Sequence, residues 1–130
     1  MSKILIVDDN QENRDMLSRR LSRAGYEIHV APDGPSGVQA AYEQLPDLIL
    51  MDIALGAMDG WEATEILKGD PRTANIPIIA LTAHSAPRDA AVSLAVGCVD
   101  HDTKPVDMTR LLGKIEAQLK PAGQSVESPT

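Results

Sequence analysis

The sequence predicts an α/β fold of five βα units, a (βα)5 doubly wound parallel five-stranded sheet with helices on both faces. Three observations predict it. Short apolar or β-branched runs alternate with helical stripes along the chain, the pattern of parallel strands joined by right-handed crossovers. Three of those runs, Ile4–Val7, Leu48–Met51 and Ile78–Leu81, are apolar without a break, as strands buried on both faces are. Each of the three ends on a polar residue: Asp8-Asp9, Asp52 and Thr82.

Taken in order, residues 3–7 form the first strand, and Asn13, Met16, Leu17, Leu21 and Ala24 mark one face of the first helix. Gly25 stops that helix from its C-terminal side. Residues 27–31 alternate, with Ile28 and Val30 on one face, as an edge strand does. Asp33-Gly34-Pro35 opens the second helix, with Pro in its first turn; Val38, Ala41, Tyr42 and Leu45 are its stripe, and Pro46-Asp47 breaks it. The third strand is expected over 47–51. Asp59-Gly60 opens the third helix, with Ala63, Ile66 and Leu67 expected inside and Asp59 as its N-cap. Residues 68–76 form a loop, and the fourth strand is expected over 77–81. Ser85-Ala86-Pro87 starts the fourth helix, with Ala90, Ala91, Leu94 and Ala95 as its apolar face and Gly97 at its end. A weak fifth strand is expected over 98–102. Met108, Leu111, Leu112, Ile115 and Leu119 give the i, i+3, i+4, i+7 spacing of the last helix, with Gly113 inside it. Residues 1–120 thus make one domain. Residues 121–130 are small and polar and are expected to be a disordered tail.

Composition narrows the function. The net charge of −7 argues against a dedicated nucleic-acid surface. The single cysteine, Cys98, excludes an intramolecular disulfide and is expected to be a small buried group. No apolar run approaches the ~20 residues of a membrane span, and no leader precedes the first strand, so a cytoplasmic location is expected. With Tyr26, Tyr42, Trp61 and no Phe, the core must be aliphatic.

The chemistry lies at the strand ends. In open parallel sheets ligands bind beyond the carboxyl ends of the strands, where Asp8, Asp9, Asp52 and Thr82 fall, with Lys104 just past the fifth strand. Clustered carboxylates repel one another unless a cation is bound. Mg2+ suits them, because it is hard and keeps positions for water and phosphate oxygens. Phosphoryl transfer then needs a nucleophile, a metal and donors to the equatorial oxygens. Asp52 can be the nucleophile, Thr82 can donate from its hydroxyl, and Lys104 can supply a fixed charge.

At this point a resemblance is plain. The segments Ile4-Leu5-Ile6-Val7-Asp8-Asp9-Asn10, Asp47-Leu48-Ile49-Leu50-Met51-Asp52, Met58-Asp59-Gly60, Ala80-Leu81-Thr82-Ala83 and Thr103-Lys104-Pro105, in this order and spacing, resemble a bacterial response-regulator receiver domain of the stand-alone, chemotaxis-receiver type. The resemblance covers residues 3 to about 119. It implies the flavodoxin-like strand order 2-1-3-4-5. Asp52 would accept a phosphoryl group from a sensor histidine kinase or a histidine phosphotransfer protein. Asp9 and Asp52 would bind Mg2+ directly, with Asp8 nearby and the backbone carbonyl of Ala54 as a further ligand. Thr82 and Lys104 would each hold a phosphoryl oxygen. The Lys104-Pro105 bond is expected to be cis. The protein would catalyse only its own phosphorylation and dephosphorylation, and would signal to a protein partner as a monomer or a phosphorylation-dependent dimer. Several positions depart from the family's usual pattern: Gly56 stands where proline is common and His101 where many receivers carry Tyr or Phe, while His84 and Ala54 occupy the two positions that in the family tune access of water to the acyl phosphate.

Two other functions compete. A Mg2+-dependent aspartyl-phosphate phosphohydrolase would need a second acid two residues past the nucleophile, where this chain has Ala54, and a cap insertion. A phosphorylation-independent interaction module would not ask for Asp9, Asp52, Thr82 and Lys104 together. Arg14, Arg19, Arg20 and Arg23 crowd the first helix and read as a solvated face, with docking to an acidic patch on a kinase as the alternative. His101 is expected to be half-exposed and His29 exposed.

Overall fold

The computed structural model describes residues 2–55, 58–83 and 87–119; of Pro87 and Arg88 it describes the backbone alone. Five strands and five helices alternate: β1 (Lys3–Val7), α1 (Gln11–Arg23), β2 (Glu27–Ala31), α2 (Gly34–Gln44), β3 (Leu48–Asp52), α3 (Gly60–Lys68), β4 (Ile78–Thr82), α4 (Pro87–Ala95), β5 (Asp100–Thr103) and α5 (Met108–Leu119). All pairings are parallel, in the order β2-β1-β3-β4-β5. The fold class and strand order are therefore those expected.

Because side chains alternate along a strand, the sheet feeds two cores. Ile4, Ile6, Leu48, Leu50, Ile79 and Leu81 face α1 and α5, meeting Leu17, Leu21, Leu111 and Ile115. Leu5, Val7, Ile49, Met51, Ile78 and Ala80 face the other way, onto Ala41 of α2, Ala63 and Leu67 of α3, and Cys98. Each fully buried Leu or Ile contributes about 1.5–3 kcal/mol. Asn10, Asp33 and Asp59 each accept a backbone N–H of their helix's first turn, from Asn13, Ser36 and Glu62, so Asp59 is the N-cap expected.

Several local expectations change. β3 and β4 each begin and end one residue later than expected, their far ends set by the pairing of Asp52 with Leu81 and of Thr82 with Thr103 in the ladder. β5 begins later than expected, since the Cys98 N–H donates to Ser93 O at 2.9 Å and so belongs to the end of α4. In α3, Ile66 is exposed and Thr64 takes the inner place, its hydroxyl satisfied by Gly60 O at 2.7 Å. In α4, Leu94, Ala91 and Ala95 are exposed and Ser93 is buried; Ser93 can face inward because its Oγ accepts Trp61 Nε1–H at 2.9 Å. Leu45 is not part of the α2 stripe. It caps the helix in the left-handed region, at φ 46°, with its side chain exposed. Val30 shares its phase with the partly buried Ile28 but is exposed at the sheet edge. His29 is half-buried and paired with Glu27 Oε2 at 2.8 Å. The tail 121–130 lies outside the described residues.

Candidate functional site

The register places the acids. Val7 pairs with Met51, and Asp52 with Leu81, so β1, β3 and β4 end nearly level. Asp8 is the residue after Val7, and it comes beside Asp52. Asp8 is fully buried and Asp52 is 2 % exposed, whereas Asp9 is exposed at the rim. One oxygen from each of the three lies within 4.8 Å of the others.

Backbone donors fix the two buried acids. Asn10 N–H donates to Asp8 Oδ1 at 2.9 Å, and Ala54 N–H to Asp52 Oδ1 at 3.1 Å. The Asp8 N–H is held by Ala31 O at 3.1 Å. Lys104 reaches back from the β5–α5 loop. Its Nζ is 3.0 Å from Asp52 Oδ2 and 3.3 Å from Asp8 Oδ2, and its backbone N–H donates to Thr82 O at 2.8 Å. The Lys104-Pro105 peptide is cis, as the resemblance implied. Thr82 is buried at the end of β4.

The electrostatics follow from this crowding. Burial pushes the Asp52 carboxyl above the ordinary carboxylate range; Lys104 and the Ala54 N–H pull it back only in part, and Asp8 adds to the rise. For Lys104 burial works against the charge, but Asp52 and Asp8 outweigh it and raise the ammonium above its usual value. Asp8 Oδ2 is buried and makes no hydrogen bond, although Lys104 Nζ lies at ion-pair distance. An acceptor left this way is costly. Three carboxylates, one of them with a buried oxygen that makes no hydrogen bond, fit a small divalent cation such as Mg2+.

Asp8, Asp9, Asp52, Thr82 and Lys104 thus gather at one end of the sheet. Ala54 is exposed and brings its backbone N–H to Asp52. His101 is half-exposed, as expected; by register it pairs with Ala80 and shares a sheet face with Thr82. Gly56 and His84 lie outside the described residues. Arg14 departs from the solvated face expected of α1: it is half-buried, and its guanidinium donates to Asp8 O at 2.7 Å. Arg19, Arg20 and Arg23 are exposed. A second cluster went unread in the sequence. Asp102 is buried on β5 and pairs with Arg110 and Lys114 of α5. Its visible signal is an acid in a strand followed by two basic residues four apart on the next helix.

The profile of the response regulator receiver domain matches residues 4–116. The chain belongs to this family. It is a phosphorylatable receiver domain of the two-component response-regulator class; receivers are phosphorylated by histidine kinases or phosphotransfer proteins, and are signalling modules in the main. The chain is 38% identical over 120 residues, 92% of its length, to the DNA-binding dual master transcriptional regulator RpaA of Synechocystis, of which it covers 50%. It spans about half the length, or less, of the curated relatives it matches. Among solved structures, chemotaxis protein CheY4 of Vibrio cholerae superposes with a TM-score of 0.87 at 31% identity, covering 92% of this chain and 99% of that one. The receiver domain of sensor histidine kinase PA1611 from Pseudomonas aeruginosa has a TM-score of 0.84 at 32% identity, over 91% of this chain and 97% of that one; its structure carries a magnesium ion coordinated in the active site cleft. Among the described residues, no helix of this receiver is long and apolar enough to cross a membrane.

Proposed function

We propose that Asp52 is the phosphoryl acceptor of this receiver, in a Mg2+-dependent transfer from a phosphohistidine on a sensor histidine kinase or a histidine phosphotransfer protein. The observation that carries this reading is the pairing of Asp52 and Asp8 with one lysine, in which the buried Asp8 Oδ2 lies at ion-pair distance but makes no hydrogen bond. Asp8, Asp9, Asp52 and the backbone carbonyl of Ala54 would hold the ion. Bound there, Mg2+ supplies positive charge and an oxygen-coordinating template for the phosphoryl group.

A carboxylate oxygen of Asp52 forms the new P–O bond while the P–N bond to the donor imidazole breaks. The bonding pair returns to the imidazole nitrogen, and the product is an acyl phosphate. Lys104 already faces Asp52 and takes a phosphoryl oxygen as its partner. The Thr82 hydroxyl donates to another. The transfer adds charge and acceptor oxygens at a strand end. That pulls Thr82 inward and reshapes the face of α4, β5 and α5, where a downstream protein reads the state. The domain runs over 1–120, acts in the cytoplasm, and works as a monomer or a phosphorylation-dependent dimer.

Acetyl phosphate or a cognate kinase with Mg2+ is expected to add one phosphoryl group, seen by intact mass. The Asp52→Asn protein is expected to take none. A mass gain that persists in Asp52→Asn, or none on wild type, would sink the assignment.

A further inference from the structure

Among the described residues three acids are buried: Asp8, Asp52 and Asp102. Asp102 is outside the pocket. It sits on β5 opposite Leu81, on the sheet face that carries Leu111 and Ile115. Its Oδ1 accepts the Thr103 N–H at 2.8 Å and Arg110 Nε–H at 2.8 Å, with a second Arg110 nitrogen at 2.7 Å. Its Oδ2 makes no hydrogen bond and has Lys114 Nζ at 3.8 Å. Lys114 also donates to His101 O and lies 3.8 Å from Asp100. Packing does not ask for this acid, since an apolar residue fits an aliphatic core at no desolvation cost, and such replacement of buried ion pairs is often neutral or stabilising.

What the pair does is geometric. Asp102 closes β5 from one side and Arg110 lies in the first turn of α5. The segment between them carries Lys104 and Pro105. We propose that the Asp102–Arg110 pair is a staple across this loop, and that both are positioning residues setting where the Lys104 ammonium stands relative to Asp52. The Lys104 N–H to Thr82 O bond holds the loop on its β4 side, and the staple holds it on the α5 side. The consequence for phosphotransfer rests on the role proposed above for Lys104; the placement of Lys104 does not.

The test is the double variant Asp102→Leu, Arg110→Met, which fills the site with apolar volume. Two rates are read: phosphorylation by acetyl phosphate at saturating Mg2+, and amine labelling of Lys104 by an N-hydroxysuccinimide ester, located by peptide mass mapping. With a melting temperature no lower than wild type, the staple predicts labelling of Lys104 several-fold faster and phosphorylation at least ~10-fold slower, within the ~100-fold that a misplacement of about 1 Å can cost. Arg110→Lys keeps the charge but loses the two-pronged contact. It is expected to show smaller changes in the same directions, and it serves if the double variant fails to fold. Lys104 labelling at the wild-type rate in the folded variant overturns the staple, whether or not the protein accepts a phosphoryl group. Faster labelling with an unchanged phosphorylation rate overturns its part in the transfer. Absence of phosphorylation in wild type strikes the proposed function instead, and the labelling result still decides the staple.

Discussion

At Gly60, the first residue of α3, a Cβ would overlap the Asp52 carbonyl oxygen and stand 2.8 Å from the Ile53 Cα. The Gly60 N–H donates to Ile53 O at 2.9 Å, and the Ile53 N–H to Leu81 O at 3.0 Å. The helix start is thus pressed directly against the backbone that carries Asp52, the proposed acceptor, and backbone atoms cannot swing aside as a side-chain tip does. Gly60→Ala is expected to cost about 1–3 kcal/mol in urea unfolding, the range for overpacking. It is also expected to lose most acetyl-phosphate labelling, because relief of the clash moves Asp52. Wild-type stability in that variant would contradict the close approach. The Asp59-Gly60 pair was legible as a helix start, since an N-cap acid is a local signal. The reason for glycine was not, because it depends on a strand end eight residues earlier. Arg14 was misread for the same reason. Its charge suggests solvent, and only the fold brings it to the Asp8 carbonyl.

Among the elements, those read best have an unbroken apolar run or a clean stripe. β1, β3 and β4 announced themselves in this way, and α5 was placed by its five apolar positions. α4 was found, but its inner face was not. A buried serine breaks the apolar rule, and its partner Trp61 is 32 residues away on α3. Asp102 was hidden similarly, because a charged residue in a short strand reads as exposed until the opposing Arg110 is seen. Gly113 makes an element-scale test. It lies on the exposed side of α5, and a Cβ there would meet nothing within 4 Å. Its φ is not among the positive values. Gly113→Ala is therefore expected to stabilise the protein by about 0.5–1 kcal/mol through helix propensity, read as a higher urea midpoint at unchanged slope. A loss of stability would mean that the α5 backbone needs the glycine.

Over the whole molecule the strand order was not a matter of periodicity, which does not say which strands are neighbours; it came with the family resemblance. Once the order is known, the sheet divides the charges into two kinds with opposite pH signatures. Asp102 is held below the ordinary range although burial opposes it, because Arg110, the Thr103 N–H and Lys114 favour its charge. Asp70, paired with Arg72, falls to about 2. Such groups contribute stability above the unfolded carboxylate value of ~3.9, and lose it as pH falls through their folded values. Asp52 runs the other way. Its folded value is raised, so its ionised form burdens the fold, and the burden lifts as pH falls toward and through that value. In EDTA, the melting temperature of wild type is therefore expected to rise as pH is lowered through the raised folded-state value of Asp52 toward the unfolded carboxylate value of ~3.9, then to fall at lower pH, where the paired acids protonate. Asp52→Asn is expected to start higher at pH 7 and to lack the rise, while keeping the acid fall. Mg2+, proposed to bind the folded pocket, should at 100 times its dissociation constant stabilise wild type by about 2.7 kcal/mol at pH 7, and stabilise Asp52→Asn less. Differential scanning calorimetry across this range, with and without the metal, reads both signs in one series. An EDTA curve that falls steadily from pH 7 downward would show that Lys104 already neutralises the pocket, and that the unbonded Asp8 oxygen needs no cation.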